Sequence, residues 1–148
     1  MSYTEKVSNR LNNLLTKNYD AEAGYKKAAE KVSNPQLKNF FKQRAQERYD
    51  FGHELKGEIK SFGQEPDKGT SVAGDAHRAW MDIKTAFSSD KDETVLEEAI
   101  RGEKAALNEY EEVLKETSLP PSTLNLITKE RDSVNNALQN VTSLEKWA

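Results

Sequence analysis

Residues 3–35 read YTEKVSNRLNNLLTKNYDAEAGYKKAAEKVSNP, and this stretch decides the class of fold. Its apolar residues recur at steps of three and four, which is the period of an amphipathic helix. Pro35 suits the first position of a helix, and Ser33 or Asn34 can cap it, so the stretch predicts a long helix, a tight turn and a second helix. The apolar positions of the first helix are Val7, Leu11, Leu14, Leu15, Ala21, Tyr25, Ala28, Ala29 and Val32.

The same period continues through most of the chain. We predict helices over about residues 3–32, 35–62, 72–88, 91–117 and 121–145. The helix over 72–88 is short and follows a stretch rich in glycine, proline, aspartate and serine. The pattern predicts an all-α four-helix bundle with a short fifth helix in the crossover between the second and third long helices. We expect residues 1–148 to form this single domain.

The composition excludes several classes of function. The 148 residues contain 22 lysines and arginines against 25 acids, with no basic block of the kind that binds nucleic acid. Cysteine is absent, which excludes disulfides, thiolate metal sites and cysteine nucleophiles. No stretch resembles a signal peptide or a membrane span, so we expect no membrane partner and a cytoplasmic location.

The two predicted hairpins share a pattern. In the first helix of each, a polar residue precedes a tyrosine by seven positions, and in the second an arginine precedes a leucine by seven. These pairs are Asn18 and Tyr25, Glu103 and Tyr110, Arg48 and Leu55, and Arg131 and Leu138. The repeat predicts an approximate internal two-fold symmetry.

In this pattern the chain resembles the ferritin-like superfamily. Its di-iron members carry a glutamate seven residues before a tyrosine on the first and third helices, and Glu-x-x-His on the second and fourth. Carried over position by position, those metal-ligand sites fall on Asn18, Glu103, Arg48, Phe51, Arg131 and Val134. Only Glu103 keeps a residue type that binds metal. The resemblance therefore implies a ferritin-like fold whose di-iron site is degenerate.

The chain also resembles bacterial four-helix-bundle proteins with a ferritin-like domain of unknown function, which are often linked to stress responses. The matching segments are DAEAGYKKAA at 20–29, Glu54-Leu55, GTSVAGDAHRAW at 69–80, and residues 103–110. This resemblance covers about residues 10–140 and implies the fold. It does not imply a particular activity, because none is established for those proteins.

We expect a buried polar core at the position where di-iron relatives hold metal. Arginine binds carboxylates bidentately and keeps its charge when buried, so Arg48 and Arg131 can face the single carboxylate of Glu103. The predicted members of this core are Asn18, Tyr25, Arg48, Glu103, Tyr110 and Arg131. The alternative is that one or both arginines reach solvent and bury only their aliphatic stems.

A displaced metal site is a second alternative. Carboxylates flank the inward stripes of the predicted helices, and iron or manganese would be the cofactor if they converged. The candidate ligands are Glu22, Glu47, Glu103 and Glu130. We favour the absence of a metal, because charged side chains on long helices usually form solvated faces.

The predicted crossover helix carries a group of polar and aromatic side chains on one face. It consists of Asp75, His77, Arg78 and Trp80. The group is a candidate site for a ligand or partner, and the alternative is a packing anchor in which Trp80 fills a gap in the bundle.

These observations lead to three hypotheses about function. The first is a non-enzymatic binding or structural protein that acts through self-association, as a dimer for example, or through another protein. Tyr3, Tyr49 and Trp147 are candidate contact residues. The second is a metal-binding oxidoreductase or iron-handling protein, and the third is a carrier of a small ligand at the His77–Trp80 segment.

Overall fold

The computed structural model describes residues 2–67, 92–115 and 118–144, and the described residues form four α-helices. They are α1 (Tyr3–Lys31), α2 (Pro35–Ser61), α3 (Asp92–Leu114) and α4 (Pro121–Leu144). The predicted all-α four-helix bundle is confirmed. The predicted third long helix ran to 117, whereas α3 ends at Leu114. The predicted crossover helix over 72–88 lies outside the described residues.

Polar side chains fix where the first two helices begin. The Ser2 hydroxyl accepts a hydrogen bond from the backbone N–H of Glu5 at 3.2 Å. At the start of α2, Oδ1 of Asn34 accepts from the N–H groups of Gln36 and Leu37 at 2.8 and 3.2 Å. These acceptors satisfy amides that have no partner within the helix, which is why the chain starts a new helix directly after a short turn.

Each helix packs against its hairpin partner and against one helix of the other hairpin, so α1 lies between α2 and α3 while α4 lies between α3 and α2. Contacts at the ends of the bundle set the helix directions. The Asp92 carboxylate accepts from the backbone N–H groups of Ser33 and Asn34, both at 2.8 Å, which places the start of α3 beside the α1–α2 turn. At the opposite end, the Tyr3 hydroxyl donates to the carbonyl oxygen of Ser118.

This arrangement makes α2 and α3 parallel to each other. The end of α2 and the start of α3 therefore lie at opposite ends of the bundle, about 40 Å apart for a helix as long as α2. The first residues of the connection between them lie against α1, where Asn12 donates to the carbonyl oxygen of Glu65 at 3.1 Å and accepts from the N–H of Asp67 at 2.7 Å. A long crossover between two hairpins is the connectivity that the sequence predicted.

The apolar core is divided into two clusters along the bundle axis. The cluster near the α1–α2 turn contains Ala28, Leu37, Phe41, Leu96 and Val141 among others. The cluster near the other end contains Leu11, Leu15, Leu55, Ile127 and Val134 among others. The level between the two clusters holds buried polar side chains. None of the four described helices is both long and apolar enough to span a bilayer.

Candidate functional site

Six polar side chains from all four helices meet between the two apolar clusters, and we call them the polar layer. They are Asn18, Tyr25, Arg48, Glu103, Tyr110 and Glu130, none of them more than 4% exposed. Most buried charges in proteins are paired, because transferring a charge from water to the protein interior costs about several kcal/mol even after the protein relaxes around it. The hydrogen bonds within the layer must therefore offset the free-energy cost of burying its charged side chains.

The Glu103 carboxylate is the centre of the first half of the layer. Its Oε1 accepts hydrogen bonds from the Arg48 guanidinium of α2 and from the Tyr25 hydroxyl of α1. The Arg48 guanidinium also lies over the Tyr25 ring, 5.8 Å from its centroid. This group ties three helices together, and a hydrogen bond to a charged partner is stronger than one between neutral groups.

The Tyr110 hydroxyl is the centre of the second half. It accepts a hydrogen bond from Nδ2 of Asn18 at 3.1 Å and donates one to Oε1 of Glu130 at 2.8 Å. Asn18 also donates to the carbonyl oxygen of Leu14 at 2.8 Å. This group joins α1, α3 and α4, so the two halves of the layer together connect the whole bundle.

The environment moves the pKa values of these groups in directions that fit the pairing. Burial opposes the charge of Arg48 more than any single neighbour favours it, but the Glu103 carboxylate together with Tyr25, Tyr110 and Glu47 outweighs burial and raises the pKa of the guanidinium. Burial and the neighbouring glutamates raise the pKa values of the Tyr25 and Tyr110 hydroxyls, so both keep their protons. The layer therefore holds one cation and one anion in direct contact.

Glu130 differs from Glu103 because no cation of the layer touches it. Burial, with the Glu54 carboxylate nearby, raises the pKa of Glu130 to about 9. The side chain is consequently a neutral carboxylic acid at pH 7, and its hydrogen bond with Tyr110 joins two uncharged groups. The charges of Arg48 and Glu103 thus cancel each other, and the neutral Glu130 adds no charge to the layer.

The structure corrects the predicted position of Arg131. Its side chain is 33% exposed and lies 2.9 Å from the carboxylate of its neighbour Asp132, outside the polar layer. Glu130 occupies the inward position instead, because Ile127, Val134 and Val141 are fully buried and fix the rotation of α4. A residue three after Ile127 and four before Val134 falls on the same helix face. That spacing was the signal that could have identified Glu130.

The internal repeat is present in the structure, but the matching position on α4 is shifted by one residue from the predicted one. Asn18 and Glu103 occupy matching buried positions on α1 and α3, as do Tyr25 and Tyr110. On α2 and α4 the matching residues are Arg48 and Glu130, one position away from the predicted pair of arginines. Phe51 and Val134, which stand where di-iron relatives carry the histidines of Glu-x-x-His, belong to the apolar cluster at the end away from the α1–α2 turn.

The layer does not fit a pair of metal ions. Di-metal sites in such bundles need a glutamate from each of two helices and Glu-x-x-His from each of the other two. Here Asn18 and Arg48 replace two of those ligands, the Glu103 carboxylate binds a guanidinium, and Glu130 keeps its proton. Across residues 2–67, 92–115 and 118–144, no three His, Cys, Asp or Glu side chains are grouped so that they could hold a metal ion.

The structure does not bring the other candidate ligands into the layer. Glu22 pairs with Lys26 at 2.7 Å on the outside of α1. Glu47 lies closer to the layer, and burial raises its pKa although it pairs with Arg44. The Asp75, His77, Arg78 and Trp80 group lies outside the described residues.

Three oxygens of the layer have unused hydrogen-bonding capacity. Within the described part of the chain, Oδ1 of Asn18, Oε2 of Glu103 and Oε2 of Glu130 are buried and have no hydrogen-bond partner. Such atoms are uncommon in folded proteins and cost about 1–3 kcal/mol each when left without a donor.

Two helical hairpins packed so that α2 and α3 are parallel have the architecture of a ferritin-like fold. The model of one family, described as a domain of unknown function (DUF2383), matches residues 6–116. Because that match spans most of the chain, the protein belongs to this family. A comparison with curated proteins found no match.

Two solved structures share the fold over almost their full lengths. A mutant of Dps1 from Mycobacterium smegmatis superposes with a TM-score of 0.79 at 15% identity, covering 97% of this chain and 98% of that chain. A ferritin-like, diiron-carboxylate protein from Bacillus anthracis str. Ames superposes with a TM-score of 0.71 at 20% identity, covering 99% of both. Identities this low show the shared fold alone.

Proposed function

We propose that this protein is a non-enzymatic binding or structural protein built on a ferritin-like bundle, in which an Arg/Glu/Asn polar layer takes the place of a di-metal centre. It acts through contacts with other protein molecules, copies of itself included. A role in the bacterial stress response and a cytoplasmic location are part of this proposal, and the sequence resemblance to stress-linked bacterial bundles supports them.

The observation that carries the proposal is the contact between the Arg48 guanidinium and the Glu103 carboxylate. A guanidinium cannot lose its proton at physiological pH, so it supplies a permanent positive charge at the level where relatives would bind cations. An incoming metal would have to displace Arg48 from its carboxylate and leave that charge buried and unpaired, which is strongly unfavourable. It would also have to remove the proton of Glu130.

Metal content tests the proposal directly. The protein is expressed with excess iron or manganese, purified without chelators and measured by elemental analysis, and its oxidation of Fe²⁺ by oxygen is followed. We expect far less than one metal ion per chain and no oxidation above the protein-free rate. Glu103→Gln serves as the matched variant, since it keeps the shape of the side chain while removing the carboxylate. Near-stoichiometric metal in the wild type that Glu103→Gln abolishes would overturn the proposal.

The second candidate is a metal-binding oxidoreductase or iron-handling protein. The observation in its favour is the set of three buried oxygens without hydrogen-bond partners, Oδ1 of Asn18, Oε2 of Glu103 and Oε2 of Glu130, which come from three helices. Oxygen atoms of amides and carboxylates suit hard cations such as Mn²⁺ and Fe²⁺. The elemental analysis separates the two candidates, because only the second predicts metal that depends on Glu103.

A further inference from the structure

The surface charges of the bundle are divided between its two hairpins. The α1 and α2 helices together carry twelve lysines and arginines against eight acids, whereas α3 and α4 carry four against ten. Asp20, Arg48, Glu103 and Glu130 are buried and do not contribute to the surface. Without them the first hairpin has a net charge of +4 and the second a net charge of −4.

Two ion pairs, Lys17 with Glu109 and Lys129 with Glu54, join the hairpins, and leaving them out does not change either net charge. The net charges of the hairpins lie on opposite sides of the molecule. Since each hairpin packs with its inner face on the other hairpin, the outer faces of α1–α2 and α3–α4 point in opposite directions. The bundle is therefore polarised across its width, with one basic and one acidic side. Charge separated in this way orients molecules before they touch and favours contact between unlike faces.

The basic side also has a concave shape. A groove of about 650 Å³ runs between α1 and α2, and its charged lining consists of three lysines, Lys26, Lys38 and Lys42, against two acids, Glu22 and Glu30. Ala29 and Ala45 lie on its floor, and the half-exposed ring of Tyr49 lies at one edge. On the acidic side, α4 exposes the apolar side chain of Leu124. Each side thus combines its net charge with an exposed apolar side chain, a combination that interfaces use.

We propose that copies of this chain associate head to tail, with the basic α1–α2 face of one copy on the acidic α3–α4 face of the next. The equal and opposite net charges of the two faces identify a second copy as the partner. This inference rests on the proposed binding function and names its partner. Because the two faces differ, the contact is heterologous and produces rings or open stacks instead of a closed two-fold dimer.

Sedimentation velocity of the full chain at low and high salt tests the inference. We expect assemblies at 10 mM salt that dissociate at 1 M salt, since the screening length falls from about 30 Å to about 3 Å over that range. A chain that stays monomeric at low salt and high protein concentration, or assemblies that ignore salt, would overturn it.

Charge reversals identify the faces. Lys42→Glu changes the groove and Glu97→Lys changes the exposed side of α3. We expect each variant alone to self-associate at least about tenfold more weakly, because each places like charges across the contact. Glu65→Lys, which lies outside both hairpins, is the matched control and should assemble as the wild type does. Circular dichroism checks that all three variants fold.

Mixing the two variants gives the decisive result. Each retains one intact face, so Lys42→Glu and Glu97→Lys should bind each other more tightly than either variant binds itself. If Lys42→Glu abolishes assembly and Glu97→Lys has no effect, α1–α2 meets itself and the head-to-tail contact is wrong. Metal content is measured separately, so failure of this inference is distinguishable from failure of the proposed function.

Discussion

Arg48 can keep its charge in the middle of the bundle only while Glu103 stays beside it. Both side chains are almost completely buried, 4% and 1% exposed, so water cannot replace either partner. A buried ion pair of this kind adds little net stability compared with an apolar pair, but losing one member is costly. Replacing Arg48 or Glu103 alone is therefore expected to destabilise the protein more than replacing both together.

Glu103→Ala should destabilise the protein by about 3–5 kcal/mol, because it leaves the Arg48 guanidinium buried without an anion. Urea denaturation at pH 7 measures the loss. Lys26→Ala is the control, since it removes the exposed lysine of the pair with Glu22, which lies outside the polar layer, and should cost no more than about 1 kcal/mol. An apolar double variant, Arg48→Met with Glu103→Leu, should recover most of the stability. Equal losses in Glu103→Ala and Lys26→Ala would show that Arg48 reaches solvent.

Glu130→Gln should change how stability depends on pH. The pKa of Glu130 is about 9 in the folded chain against an ordinary value of 4.5, so between these pH values the folded state holds one more proton than the unfolded state. The contribution of Glu130 to the stability of the wild type therefore falls as pH rises from about 4.5 to 9 and levels off above.

Glutamine stays neutral and keeps an oxygen for the Tyr110 hydroxyl, so the variant should be more stable, by an amount of the order of 3 kcal/mol at pH 7, and less sensitive to pH. Urea denaturation at pH 5, 7 and 8.5 measures both effects. Glu97→Gln, on the exposed surface of α3, should leave the pH profile unchanged. Parallel pH profiles for Glu130→Gln and the wild type would contradict the raised pKa.

At the scale of the helices, the sequence predicted most of what the structure shows. The apolar period and the caps at Asn34 and Pro35 located the first two helices to within a residue or so. The rotation of α4 was predicted wrongly, because Leu124 and Leu138 extend its apolar stripe towards Arg131. Leu124 is in fact 44% exposed. When the apolar stripe is wider than one residue, the sequence leaves the rotation of the helix about its own axis uncertain by about 100°. Only packing against the neighbouring helices determines that rotation.

Glycines in and after α2 provide a test at this scale. Gly57 lies within the helix, and a Cβ added there would meet no atom within 4 Å. Gly57→Ala should therefore stabilise the protein by about 0.5–1 kcal/mol through helix propensity. Gly63, just after the helix, has φ +73°, a conformation that costs other residues about 1–2 kcal/mol. Gly63→Ala should destabilise the protein, and thermal melts of the two variants should shift in opposite directions.

At the scale of the whole molecule, the repeat explains why the site was harder to predict than the fold. The repeated tyrosines identified Asn18, Tyr25, Glu103 and Tyr110 from sequence, since a spacing of seven returns to the same helix face. Which side chain of the fourth helix completes the layer depends on contacts between hairpins. Hydrogen bonds such as that of Tyr110 with Glu130 connect residues that no local pattern links.

The symmetry suggests a way to turn the layer into a metal site. The double variant N18E/R48E would place a glutamate at each of the four equivalent positions with Glu103 and Glu130. Without metal it should be less stable than the wild type, because four carboxyl groups share a buried space. Mn²⁺ should raise its melting temperature with increasing concentration, as expected for a ligand of the folded state. N18Q/R48Q is the uncharged control, and the same Mn²⁺ response in both variants would contradict the design.

The helix directions have a consequence for building with this bundle. Because α1 starts beside Ser118 and α4 runs from there towards the α1–α2 turn, the start of α1 and the end of α4 lie about 36 Å apart, the length of α4. A circular permutant would need a linker of at least about ten or eleven extended residues to join them. Two domains fused to these positions would instead be held apart by a rigid rod, so the bundle can serve as a spacer of defined length.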